Sequence, residues 1–261
     1  MNETDLAAAA DINLASAWAA LGRGGGADIA DVGSLTMVAT GLPLAFFNGA
    51  FLRAPTDEPE HLVAEAIRFF GDRGLPWLLW VRDTVSPEIL AAGRAAGLRD
   101  AGGPPAMGFM PIPPPPTPPT ELRIEIASTP EALQDHASML RDGFGMPQEF
   151  VDRLVQPGLL DDPDVAAFVG RVEGEPVSCS LLAISGSTAG VYNVATPERF
   201  RGRGYGEGLT WAVLAEGVRR GCTHGVLQAS GAGYPIYRRM GFIDLGRYVQ
   251  LQGPPATDST A

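Results

Sequence analysis

The sequence predicts a mixed α/β protein built in two halves. Three observations predict it. The 261 residues are 45% hydrophobic and 19% charged, a composition that buries a substantial core without staples. Short apolar runs alternate with segments of helical period along the whole chain. Midway stands Pro111-Ile-Pro-Pro-Pro-Pro-Thr-Pro-Pro119, whose fixed φ angles and missing N–H donors exclude helix and central strand and favour a stiff extended spacer. The expected organisation is therefore a first domain at 1–112, a linker at 113–119, a second domain at 120–252 and a flexible tail at 253–261.

Residues 5–21 are alanine-rich with apolar positions at helical spacing, and Arg23-Gly-Gly-Gly26 stops them. Strands are expected at 35–40 and 44–52, a helix at 60–71, a buried strand at 76–81, a helix at 87–97 and a strand at 106–112. Downstream, strands are expected at 122–126, 165–172, 176–185, 189–195, 225–229 and 242–251, and helices at 130–142, 147–155, 206–217 and 234–240. The halves share one unit. Leu75 to Leu98 and Gly225 to Phe242 both read as strand, short helix, glycine plus apolar residue, then strand, as two distant copies would.

Composition also excludes functions. The net charge is −11, with 13 acidic residues against 7 arginines in 1–118 and 17 against 12 in 119–261, so no basic stripe exists for a nucleic-acid partner. All 19 basic residues are arginine, which removes Schiff-base and lysine-base chemistry. Cys179 and Cys222 lack the spacing of a metal or redox pair, so no metal is expected and a reducing cytoplasm is the expected location. The N-terminus carries neither a basic nor an apolar leader region, and no apolar run reaches membrane-spanning length, so no membrane association is expected.

Chemistry concentrates between Gly190 and Trp211. An apolar strand runs through Tyr192, Asn193 and Val194 into Arg201-Gly-Arg-Gly-Tyr-Gly206, which opens an amphipathic helix. Glycines let a ligand approach the backbone, the helix N-terminus offers free N–H groups with positive partial charge, and Arg199, Arg201 and Arg203 add full charges, so a pyrophosphate suits this turn. A P-loop would require a lysine, and a dinucleotide fingerprint would require an acidic residue where Leu227, Gln228 and Ala229 stand.

Arg201-Gly-Arg-Gly-Tyr-Gly206, preceded by Thr196-Pro197, resembles the Arg/Gln-x-x-Gly-x-Gly/Ala hallmark of the GNAT superfamily of acetyl-CoA-dependent N-acetyltransferases. Tyr237-Arg-Arg-Met-Gly-Phe242 resembles the second hallmark, at the expected distance, and the resemblance covers about residues 120–252. It implies a mixed central sheet flanked by helices, with the first half a degenerate GNAT-like domain. It further implies acetyl-CoA as co-substrate, a small-molecule amine as acceptor and a ternary complex. A homo-oligomer is compatible with it. Carried over to this chain, the backbone of Val194, Ala195 and Thr196 pairs with the pantetheine arm, Arg201, Gly202, Arg203, Gly204, Tyr205 and Gly206 receive the pyrophosphate, and Tyr237 protonates the departing thiolate.

This chain has Ser230 and Gly233 where many relatives have Asn and Ala, and Ser230 supplies a hydroxyl for a pantetheine contact. No carboxylate lies in the strand before the turn. Tyr192 and Asn193 could hold a water, and Glu149 or Glu198 could reach the site, but no base is assigned; His224 reads as a packing residue. Phe144, Met146 and Phe150 could line an acceptor pocket. Two other functions stay open: a non-catalytic acyl-CoA-binding module, and a transferase acting on a hydroxyl or a protein N-terminus. The first half carries Arg53-Ala-Pro-Thr-Asp-Glu-Pro-Glu60 where the glycine turn should stand, with prolines and acids that disfavour phosphate, and no tyrosine before Gly97. It is expected to shape the acceptor cleft rather than bind CoA.

Overall fold

The structure, a computed structural model, describes residues 2–253, so residues 254–261 of the expected tail lie outside the described range. The first half forms α1 (Glu3–Gly24), β1 (Asp28–Val32), β2 (Leu35–Ala39), β3 (Asn48–Leu52), α2 (Pro59–Gly71), β4 (Leu78–Arg82), α3 (Pro87–Ala95), β5 (Arg99–Asp100) and β6 (Pro105–Phe109). After the prolines come β7 (Arg123–Ile126), α4 (Pro130–Phe144), α5 (Gln148–Leu154), β8 (Val165–Val172), β9 (Glu175–Ser185), β10 (Thr188–Ala195), α6 (Tyr205–Arg219), β11 (His224–Gln228), α7 (Tyr234–Met240) and β12 (Ile243–Gln252).

Helices flank one mixed sheet of order β1-β2-β3-β4-β12-β6-β11-β10-β9-β8-β7, with β5 added on β12. Two pairs are parallel, β3 with β4 and β10 with β11, each joined through a crossover helix, α2 or α6, as parallel neighbours require. The halves complete each other. β6, which precedes the prolines, pairs with β11, and β12 divides its pairing: Ile243 to Arg247 run beside β6, while Tyr248 to Gln252 run beside β4. The register shifts between Asp244 and Arg247, where the strand passes from one half to the other.

Helix α1 sits over this junction. Asn2 caps it through a reciprocal bond with Asp5, and its alanines let it lie close to strands of both halves. Leu6, Ala10 and Leu14, one helical face, share a core with Val38, Phe51 and Trp80 from the first half and with Val226 from the second. Its polar residues are locked as well. Asp11 accepts from Arg82 at 3.0 Å and from the Tyr248 hydroxyl at 2.9 Å, and Asn13 donates to the Ala183 carbonyl at 3.0 Å.

The segment 44–47 departs from the expected strand. Ala45–Phe47 form a 3₁₀ turn that faces Phe46 to solvent and Phe47 inward, so regular pairing begins only at Asn48. Strand β1 was not expected, because Asp28 and Asp31 interrupt the apolar run; it is an edge strand whose acids pair with Arg73 and Arg53. The strand expected at 106–112 ends at Phe109, short of Pro111. Among the described residues no helix is long and apolar enough to cross a membrane.

One core residue makes stability depend on pH. His136 on α4 is fully buried, its Nδ1 lies 3.1 Å from the Phe168 carbonyl oxygen, and its Nε2 has no partner. Burial holds its pKa down to about 4, against an ordinary value of 6.5. The unfolded chain therefore binds this proton first as pH falls, and the folded state loses about 3 kcal/mol between pH 6.5 and 4. Urea unfolding at pH 7 and pH 4 should show the wild type losing this much more than His136→Gln.

Candidate active site

Strands β10 and β11 stay paired only from Thr188 and His224 to Gly190 and Val226, then part. Beyond that point β10 bulges against β9, with Asn193 at φ 53°, and resumes register at Ala195 opposite Cys179. The result is an open wedge between Val191 to Val194 on one side and Gln228 to Ser230 on the other. A cavity of about 760 Å³ begins there and extends to the first half.

Tyr237 projects into the cavity from α7, 9% exposed, its ring edge-on to Phe242 at 5.6 Å. Its approach depends on Gly233, since a Cβ there would stand 2.8 Å from the tyrosine ring. Burial pushes the phenol up to about 12, with Thr210 offsetting part of the rise, so the group is a neutral donor across the working pH range. Ser230 also lines the cavity, and its hydroxyl accepts from the Gly233 amide at 3.1 Å.

The arginine and glycine turn lies beside this cavity, outside its lining. Gly202 and Gly204 adopt left-handed backbone, φ 77° and 79°, and no side chain caps α6. Among the described residues, none of the amides from Gly202 to Glu207 donates to a backbone carbonyl, which leaves a run of N–H groups at the positive end of a helix. Gly206 faces Val194 and Thr196, so the turn connects directly to the end of β10.

The arginines divide their work. Arg201 donates to the carbonyls of Thr196 at 3.0 Å and Gly143 at 3.1 Å, tying β10 to the C-terminal turn of α4, where a cation also opposes the helix dipole. Arg199 lies over the Phe200 ring and 3.9 Å from Asp142. Arg203 is exposed and pairs with no acid among the described residues. The Tyr205 ring is buried and its hydroxyl reaches Glu121 at 3.4 Å, so only its backbone faces the turn. Of Val194, Ala195 and Thr196, Val194 lines the cavity; the Ala195 carbonyl accepts from Ser178 at 2.9 Å.

Residues 131–242 match the sequence model of the acetyltransferase (GNAT) family. This part of the chain belongs to the GNAT superfamily. No curated protein matches the sequence. Among solved structures, a GCN5-related N-acetyltransferase from Kribbella flavida is similar at TM-score 0.68 and 20% identity, over 92% of this chain and 95% of that one. A GCN5-related N-acetyltransferase from Sphaerobacter thermophilus gives TM-score 0.63 and 18% identity, over 84% and 76%. A tandem GNAT protein from the clavulanic acid biosynthesis pathway gives 0.61 and 13%, over 87% and 79%. These likenesses concern the fold, and they span both halves, so the chain has a GNAT-like fold over most of its length.

The first half supplies what the motifs do not mention. Trp18 from α1, Phe46 and Phe47 from the 3₁₀ turn and Trp80 from β4 all line the cavity, opposite Phe144, Met146 and Phe150 from the GNAT half, whose β12 adds Gln250. Tyr192 lines it too, with its hydroxyl held by Asn13 Oδ1 at 2.7 Å, so it is fixed to α1. Neither Glu149 nor Glu198 lines the cavity. His224 is buried between Thr188 and Thr223, at 2.8 and 2.9 Å, in a packing role. Among the described residues no cluster of His, Cys, Asp and Glu is arranged to hold a metal ion.

Proposed function

We propose that the chain moves an acetyl group from acetyl-CoA to the nitrogen of a small-molecule amine, with both substrates bound together in one complex. The parting of β10 and β11 beside Tyr237 carries this reading, because it opens a strand-shaped slot whose one end meets an uncapped helix N-terminus. Backbone groups of Val194, Ala195 and Thr196 flank the pantetheine arm, as an added strand is flanked. The amides of the turn from Gly202 to Gly206 hold the pyrophosphate, Arg203 adds its charge, and Ser230 lies against the arm. Arg201 keeps the turn in place through Thr196 and Gly143.

Attack by the amine nitrogen on the thioester carbonyl forms the C–N bond, and the C–S bond breaks with its electron pair on sulfur. Tyr237 gives its proton to that sulfur, the proton lost from nitrogen leaves through water, and water returns a proton to the phenolate. In the same reading, residues 120–252 are the transferase domain, 113–119 the linker, and 1–112 a degenerate copy that walls the acceptor side. The buried free thiols of Cys179 and Cys222 fit a reducing, cytoplasmic setting.

A second reading is favoured by one feature: no carboxylate or histidine lines the cavity among the described residues. A module that binds acyl-CoA without turnover would need none. Calorimetry with CoA, combined with free-thiol release from acetyl-CoA and a panel of amines, separates the two, since binding without release identifies the module. Gly204→Val tests the cradle. A β-branched residue is strained at φ 79°, and the position is open enough that the fold should tolerate it. CoA affinity is expected to fall at least about tenfold while the strain lowers the melting temperature by only a few degrees; retained affinity removes the turn from the binding site.

A further inference from the structure

The cavity wall built by the first half is a run of aromatic rings. Trp80 and Phe46 lie 6.0 Å apart between centroids, Phe46 and Trp18 5.6 Å, and Phe47 meets Phe150 across the junction at 5.4 Å. This wall is left partly uncovered: Phe46 is 50% exposed, and Leu44 and Phe144 beside it are 50% and 54% exposed. Among the described residues, half of the exposed large apolar side chains thus border one cavity, which marks a site for an apolar body. The polar atoms of the lining come from neutral groups such as Tyr192, Asn193, Gln228 and Gln250, and no acid, arginine or histidine is among them.

We infer that the acceptor is an aromatic amine whose nitrogen is already uncharged near neutral pH, with its ring against Trp18, Phe46 and Trp80. The inference rests on the acetyl-transfer reading and names the substrate class of that same site. An alkylammonium entering this cavity would lose several kcal/mol of hydration with no counter-charge in the lining to restore it; of the acids in the adjoining pocket, Asp244 is paired with Arg238 and Asp83 accepts from the Arg247 amide. Aromatic faces return only about 0.5–2 kcal/mol to a cation. Such an amine would have to bind as its free base, a fraction near ~10⁻³ at pH 7 for a pKa near 10. An arylamine meets neither penalty. Its lone pair is free to attack without prior deprotonation, which agrees with a lining that offers no base. The products are an anilide and a free thiol, with the Tyr237 proton on sulfur and the nitrogen proton passed through water to restore the phenol.

The test follows free-thiol release from acetyl-CoA with 4-methoxyaniline, benzylamine, spermidine and 4-methoxyphenol between pH 6 and 9, alongside calorimetry with CoA. At pH 7, kcat/KM for 4-methoxyaniline is expected to exceed that for benzylamine by at least about tenfold and to stay nearly flat with pH. Benzylamine should instead gain about tenfold per pH unit as its free base grows. Phe46→Ala should raise KM for the arylamine several-fold, with the effect on KM rather than kcat, because it removes binding surface remote from the reacting atoms. Preference for benzylamine, spermidine or the phenol, or an unchanged KM in Phe46→Ala, overturns the inference while leaving acetyl transfer intact. Failure to bind CoA, or absence of thiol release with every acceptor, defeats the transfer reading itself and this inference with it.

Discussion

Tyr237→Phe is expected to lower kcat about a hundredfold while the affinity for CoA stays within about twofold. The ring remains, so its edge contact with Phe242 and its seat over Gly233 survive, and the fold should melt within a few degrees of the wild type. Only the hydroxyl proton is lost, and in the proposed mechanism that proton goes to the sulfur as charge appears there. Because burial raises the phenol to about 12, the wild type should show no loss of rate from tyrosine ionisation below about pH 11. Steady-state kinetics with calorimetric CoA titration checks both points. A parallel fall in CoA affinity would reassign Tyr237 to packing.

Asp11→Ala is expected to destabilise the protein by about 3–5 kcal/mol, because it strands a buried arginine. Asp11 is 2% exposed and accepts from Nε and Nη2 along one edge of the Arg82 guanidinium and from Tyr248, so three elements, α1, β4 and β12, meet at one carboxylate. In a chain of this length the change should lower the melting temperature by roughly 10 °C. Asp11→Asn, which keeps an acceptor for Tyr248, should cost less. Activity should fall with stability, since α1 also carries Trp18 and the Asn13 that holds Tyr192. A melting temperature equal to the wild type would show that water reaches Arg82 and that the junction is looser than its packing implies.

What could be read from the sequence was what depends on neighbours in the chain. The glycine turn, the helix it opens and Tyr237 four residues ahead of Gly241 are local patterns, and strand β8 and helix α7 fall where periodicity puts them. The aromatic wall of the cavity is different in kind. Trp18, Phe46 and Trp80 come from three elements, and nothing in their spacing tells that they meet, or that Phe46 stays half in water. Tyr192 could be noticed but not assigned, because its partner Asn13 lies 179 positions away. Arg201 shows the converse. Its place in the hallmark suggests a ligand for phosphate, whereas its guanidinium is engaged with Thr196 and Gly143. Periodicity locates β6 and β12, but their exchange between halves is a matter of long-range pairing that no local window contains.

Because β6 is zipped between β11 and β12, while the tip of β12 closes the gap beside β4, neither half is a finished object. Severing the peptide within residues 113–119 would leave two fragments still laced together through their strands. Making either fragment alone would expose raw strand edges ready to capture a stranger.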